Sequence, residues 1–189
     1  SQKVLSLVFL SSFFIFIVGL VGFHFTNKAS QDMNTIYLHK TLPISWLNEC
    51  ATLGRKNETN VLKVIFTKSS ERRAKYVEDI NNTGKEFSEI FAKYEKIKHD
   101  DTEKEKLAIL KEELKDYRKT RLKIVEIAIK AGNNQSPEAH KYYLENVSAF
   151  DNFNFTLKEL AKHSEKVAAE INTENAKNSF FAQLTIVIT

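Results

Sequence analysis

From Val4 to Phe25 the chain reads VLSLVFLSSFFIFIVGLVGFHF, without one Asp, Glu, Lys or Arg. At 1.5 Å of rise per residue, roughly 20 such residues in a helix cross the hydrocarbon core of a bilayer. The segment therefore predicts an N-terminal transmembrane helix over residues 1–26. A cleaved signal peptide would have a shorter apolar region ending in small residues, whereas Gly22-Phe23-His24-Phe25 closes this one. At the other end, Phe180 to Thr189 reads FFAQLTIVIT, which starts like a second span and stops after about half the needed length. The expectation is a chain cut inside a second transmembrane helix over 180–189.

What lies between is expected to be helical. The 189 residues include five Gly and two Pro, too few breaks for a protein of many strands and turns. Four helical stretches are predicted, about 27–67, 70–98, 103–131 and 137–179. Pro43 kinks the first or marks its entry into the bundle. Either of Ser69 and Ser70 can cap the second. Thr102 and Glu105 have the spacing of a capping box for the third, which Gly132-Asn133-Asn134 ends. Ser136-Pro137 starts the fourth. The fold class is thus all-α: an up-down-up-down antiparallel four-helix bundle over 27–179, with the N-terminal transmembrane helix and a truncated second one. The outer two helices serve as membrane stalks, and the shorter middle pair hangs from the far tip.

Composition and motifs exclude several functions. The net charge of +4 is modest, and Lys and Glu alternate as they do on solvated helix faces, so no nucleic-acid partner is expected. The single Cys50 rules out an internal disulfide and reads as a small packing residue on an apolar face. The five histidines have no ligand spacing, so neither a metal nor any other cofactor is expected. With no phosphate loop, no nucleophile beside a base and no paired carboxylates, no catalytic residue is assigned.

One residue breaks the pattern of the third helix. Leu107, Leu110, Leu114, Tyr117, Arg121, Ile124 and Ala128 follow 3,4 spacing, a seam that should face the core, and Arg121 is in it. A buried guanidinium needs a carboxylate or a solvated pocket that can take an anion. Counted from the turns, the same depth holds Asn57 and Arg55 on the first helix, Asn81 to Thr83 on the second and Asn146 to Ser148 on the fourth. Arg121 with Tyr117, Asn146 and Thr83 would make a pocket for a small carboxylate. The bland alternative pairs Arg121 with Glu58 and lets Thr83 and Asn146 satisfy each other as a register-fixing layer. Arg55 and Arg118 read as flanking charges with a lesser part in binding. Arg72 and Arg73 open the second helix and read as a solvated pair.

The architecture and local texture resemble the four-helix-bundle sensor domain of bacterial methyl-accepting chemotaxis proteins. MNTIYLHKTLPISWLNE after the first span, DYRKTRLKIVEIAIKAGN at Asp116 to Asn133, and the following EAHKYYLENV carry the resemblance. It implies a homodimeric receptor in the bacterial inner membrane, with its bundle in the periplasm or outside the cell, binding an amino acid or organic acid. Tyr117 and Arg121 match a tyrosine and arginine four residues apart on the third helix of certain organic-acid-binding members. Leu114 stands where such members can carry a further basic residue. The same bundle serves sensors coupled to histidine kinases and cyclases, and a membrane-anchored bundle that reads a protein partner is the alternative function.

Overall fold

The computed structural model describes residues 2–37 and 41–188, with side chains other than those of residues 32, 35, 36, 175 and 178–188. It divides into two compact units, Ser1–His39 and Lys40–Thr189. Among the described residues every regular element is helical.

The first unit is a single helix, α1, Gln2–Ile36. Its stretch Gln2–Gln31 is long and apolar enough to cross a membrane, and none of that window is buried inside the protein. Phe9, Leu5 and Leu7 each expose more than two-thirds of their surface, at 79%, 77% and 73%. A face so apolar suits lipid rather than water.

The second unit contains α2 (Leu42–Phe66), α3 (Ser70–Glu95), α4 (Asp101–Ile129), α5 (Pro137–Glu145) and α6 (Ser148–Ile188). Within the first predicted helix, about 27–67, the described residues give α1 up to Ile36 and α2 from Leu42, and Pro43 lies in the first turn of α2. Proline fits there because its missing N–H would have no helical partner. Ser69 caps α3, its hydroxyl accepting from the Arg72 N–H at 3.2 Å. The capping box of α4 is Asp100 with Glu103, not Thr102 with Glu105. The helix starts two residues earlier than the Thr102 reading needs, and Asp100, in extended conformation, supplies an ionisable acceptor. Gly132, at φ 58°, takes the left-handed conformation after α4 that other residues adopt only with strain.

The predicted fourth helix, 137–179, is two helices. Asn146 caps α5 with φ −123° and ψ 18°, and its N–H turns back to the Tyr143 carbonyl. A new helix begins at Ser148 and runs to Ile188. The predicted second span at 180–189 falls where side chains, and for Thr189 the backbone also, lie outside the described residues.

The predicted seams form the core. Ile80, Phe87 and Ile90 of α3 are buried, as are Leu110, Leu114, Tyr117 and Ile124 of α4 and Phe150, Phe153, Leu157 and Leu160 of α6. Phe153 stacks on Tyr117 at 4.6 Å between ring centroids and meets Phe87 at 5.6 Å. Packing is uneven. α2 lies along α3, while α4 and α2 both pack against α6; α3 and α4 approach each other at few points.

Polar clasps hold both ends. Arg73, 2% exposed, donates through Nε to the Val64 carbonyl at 3.0 Å and through Nη2 to those of Thr67 and Asn134, both at 2.6 Å. Its Nη1 donates to the Gly132 carbonyl. The expected solvated pair of Arg72 and Arg73 is thus corrected: only Arg72 is exposed. Arg73 ties the end of α2 and the turn after α4 together, because those helix ends present carbonyls with no helical partner. At the other end, buried Glu103 accepts from the Ser164 hydroxyl at 2.8 Å and from the Asp100 N–H at 3.1 Å, while His163 meets Asp100 at 3.0 Å.

Candidate functional site

α4 turns Arg121 toward α2 and α3, one turn beyond Tyr117. Its guanidinium carbon sits 5.4 Å from the centre of the Tyr117 ring, within cation–π range. The buried Asn57 amide has one orientation that suits both neighbours. In it, Nδ2 donates to the Ile80 carbonyl at 3.1 Å and Oδ1 accepts from Arg121 Nη1 at 3.0 Å. On the other side, a side chain added at Gly84 would begin 3.5 Å from both terminal nitrogens of Arg121. The glycine leaves space where any other residue would stand.

The charge on Arg121 is unmatched. Among the described residues no carboxylate lies in salt-bridge range of it, and its Nε is buried without an acceptor. Glu58, the expected partner, instead accepts from the Tyr143 hydroxyl at 2.8 Å. Arg118, three residues back, is also cationic and donates to the Ser88 hydroxyl at 3.0 Å. Partial burial, and then repulsion from Arg121, push the Arg118 pKa down. The Tyr117 hydroxyl is buried with no partner in hydrogen-bonding geometry. Burial raises its pKa against the pull of the nearby Arg121 charge, so Tyr117 stays neutral and can still donate.

These groups surround a small cavity of about 10 Å³, lined by Gly54, Asn57, Gly84, Tyr117, Arg118 and Arg121 among others. That is room for about one water molecule. The expected constellation is partly assembled: Arg121, Tyr117 and Arg118 share the cavity, joined by Asn57 from the predicted depth on α2. The other three predicted residues do not line it. Arg55 is exposed on α2. Thr83 is buried beside Gly84 but is not in the wall. Asn146 donates to the Tyr142 carbonyl at 2.9 Å, not to Thr83, and lines a different cavity between α4 and the α5–α6 junction. The break at Asn146 explains the miss, since depth counted along an unbroken helix assigns it to the wrong face.

Against this geometry, the whole chain through residue 179 matches the family model described as a four helix bundle sensory module for signal transduction. The chain belongs to that family. No curated protein and no solved structure matches it. A sensory module of signal transduction is not a catalytic domain, and here it carries one N-terminal helix able to span a membrane.

Proposed function

We propose that this chain is the extracytoplasmic sensor of a transmembrane chemoreceptor, and that Arg121 receives the carboxylate of a small ligand, an amino acid or organic acid. In this reading residues 1–26 span the bacterial inner membrane and 27–179 form an up-down-up-down antiparallel bundle in the periplasm or outside the cell. Residues 180–189 begin a second span, and the receptor is a homodimer. The observation that carries the site is Arg121: core-facing, hydrogen-bonded to one amide, and without an acidic partner among the described residues. A guanidinium offers a carboxylate two parallel hydrogen bonds. The Tyr117 hydroxyl offers another.

The cavity volume supplies a mechanism. A space of about 10 Å³ admits no carboxylate until the wall moves. The adjoining α3 and α4 pack sparsely, so widening there disturbs little else. A ligand would hold the widened arrangement in place of the closed one. Only that difference in affinity can drive a signal. The signal would pass by displacement of α6 toward and through the membrane.

The test is thermal unfolding of the full chain in lipid nanodiscs against a panel of amino acids and organic acids, with Arg121→Ala alongside. A ligand at 100 times its dissociation constant stabilises by about 2.7 kcal/mol. A midpoint shift that Arg121→Ala removes supports the proposal. If no acid shifts the midpoint, the layer is structural and the module reads a protein partner, or serves as the sensor of a histidine kinase or cyclase with another input.

A further inference from the structure

The turn from α3 into α4 gathers side chains whose charge depends on pH. His99 and Asp100 stand in the turn, Glu103 at the start of α4, and His163 and Ser164 beside them on α6. His163 Nε2 lies 3.0 Å from Asp100 Oδ2, a contact between α6 and the turn itself. One residue on, the Ser164 hydroxyl donates to buried Glu103, whose other oxygen accepts from the Asp100 N–H and lies 3.6 Å from His99 Nδ1. That separation is too long for a hydrogen bond and short enough for an ion pair. His99 is 9% exposed, its ring 4.7 Å from that of Tyr94, and neither of its nitrogens has a hydrogen-bond partner among the described residues. Two imidazoles thus stand next to two carboxylates, one pair partly open to water and the other buried.

We propose that this end of the bundle is a second input that senses acidity: a proton on His163, with another on His99 behind it, ties α6 to the α3–α4 turn. Imidazoles ordinarily change charge between about pH 5 and 8, where ordinary carboxylates stay ionised. A proton on His163 makes its contact with Asp100 a charge-assisted bond between two elements. A proton on His99 sets an opposite charge 3.6 Å from the buried Glu103 carboxylate, whose hydrogen bonds come from a hydroxyl and an N–H. The neighbouring cations are engaged elsewhere. Lys162 and Lys166 of α6 pair with Glu159 and Glu170, Lys104 of α4 with Asp101, and Lys111 of α4 with Glu95 of α3. Lys96 and Lys98 are exposed, so water and salt screen them. Burial, and then Glu103, push the Tyr94 pKa up, which keeps the phenol neutral throughout. Equal counts from the turn between α2 and α3 put Pro43 level with Tyr94; Pro43 and Leu47 are buried and uncharged there, and Glu49 is exposed. Acid therefore tightens α6 on the turn and alkali frees it, by a route that does not pass through Arg121.

Thermal unfolding of the full chain in nanodiscs at about pH 5.5 and about pH 8, in buffers free of carboxylic acids, tests this. The parent is compared with His163→Gln, and both again in an Asp100→Asn background, where the charge is gone but the side chain still caps α4. The parent's midpoint should exceed that of His163→Gln by about 2–4 °C more at the acid pH than at the alkaline one, the shift one charge-assisted bond gives a chain of this size. With Asp100→Asn the two margins should become equal, and His99→Gln should show a margin of the same sign as His163→Gln. No organic acid is present, so the fate of the carboxylate site does not decide this one. A margin over His163→Gln that is equal at the two pH values overturns the proposal. So does an acid increment that persists in full with Asp100→Asn.

Discussion

Arg73 and Arg121 are both arginines turned toward the inside of one helical unit, and their surroundings are opposites. Arg73 is 2% exposed, and every nitrogen of its guanidinium reaches a backbone carbonyl, from Val64, Thr67, Gly132 and Asn134. Arg121 has one amide partner, a buried Nε without an acceptor and, beside it, a phenol whose buried hydroxyl has no partner in hydrogen-bonding geometry. The same contrast separates two glutamates: Glu103 is bonded by Ser164 and the Asp100 N–H, while Glu113 has an oxygen with no donor. Satisfied charges sit at the ends of the unit, where helix termini supply free carbonyls and N–H groups. Unsatisfied ones sit mid-helix, where the backbone has none to give. Fixing a fold and leaving something for a ligand are therefore done by the same residue types at different depths.

The largest effect should come from removing the satisfied charge. Arg73→Ala strips donors from carbonyls at the ends of α2 and α4, and the loss should be about 3–5 kcal/mol in a denaturant titration of the full chain. Arg73→Lys should recover little of it, because a single ammonium cannot span four acceptors set around a planar fork. If Arg73→Ala costs under about 1 kcal/mol, the clasp contributes no more than a surface pair and the contrast with Arg121 collapses.

An intermediate effect is expected at Tyr143, which decides where Glu58 goes. Its hydroxyl donates to Glu58, and burial, followed by that carboxylate, raises its pKa from 10.0 to about 12. A raised pKa means that the folded state holds the phenol proton more tightly than the unfolded state. The stabilisation is present in full below about pH 10 and is lost as pH rises through about 12. Tyr143→Phe should cost about 1 kcal/mol at neutral pH and flatten the alkaline limb of stability against pH. It should also release Glu58, the acid nearest in expectation to Arg121, and so weaken any carboxylate ligand by competition. An unchanged alkaline limb would mean that Tyr143 does not hold Glu58 in solution.

Much of this was legible in sequence. The seams of α3, α4 and α6 and the Tyr117–Arg121 pairing follow from apolar spacing, because a core-facing position repeats with the helix period whatever surrounds it, and the long apolar helix at the N-terminus follows from its uncharged run. Arg73 was not legible. Its partners are carbonyls, which any sequence supplies, and only the fold brings the turn after Gly132 to the start of α3. The nearest signal was the turn Gly132-Asn133-Asn134 itself, which leaves helix-end carbonyls in want of a donor. The break at Asn146 was missed because neither Gly nor Pro marks it, and with it went the placement of Asn146. Thr83 illustrates the limit of counting depth: it is buried at the expected level, yet its neighbour Gly84 is what faces the guanidinium.

The smallest expected effect on stability sharpens the comparison most. Arg121→Leu removes a charge that has no acidic partner and puts an aliphatic chain beside Tyr117, Leu114 and Phe87. It gains apolar burial and drops the cost of holding a guanidinium away from bulk water. Against that, it loses the contact with the Tyr117 ring and leaves Asn57 Oδ1 without its donor. These terms are of similar size, so the variant should lie within about 1 kcal/mol of the parent without ligand. The shift given by any carboxylate ligand should vanish with it. A loss of 3 kcal/mol or more would put Arg121 in the class of Arg73, a charge already satisfied in solution by a group such as Glu58, with nothing left over for a ligand.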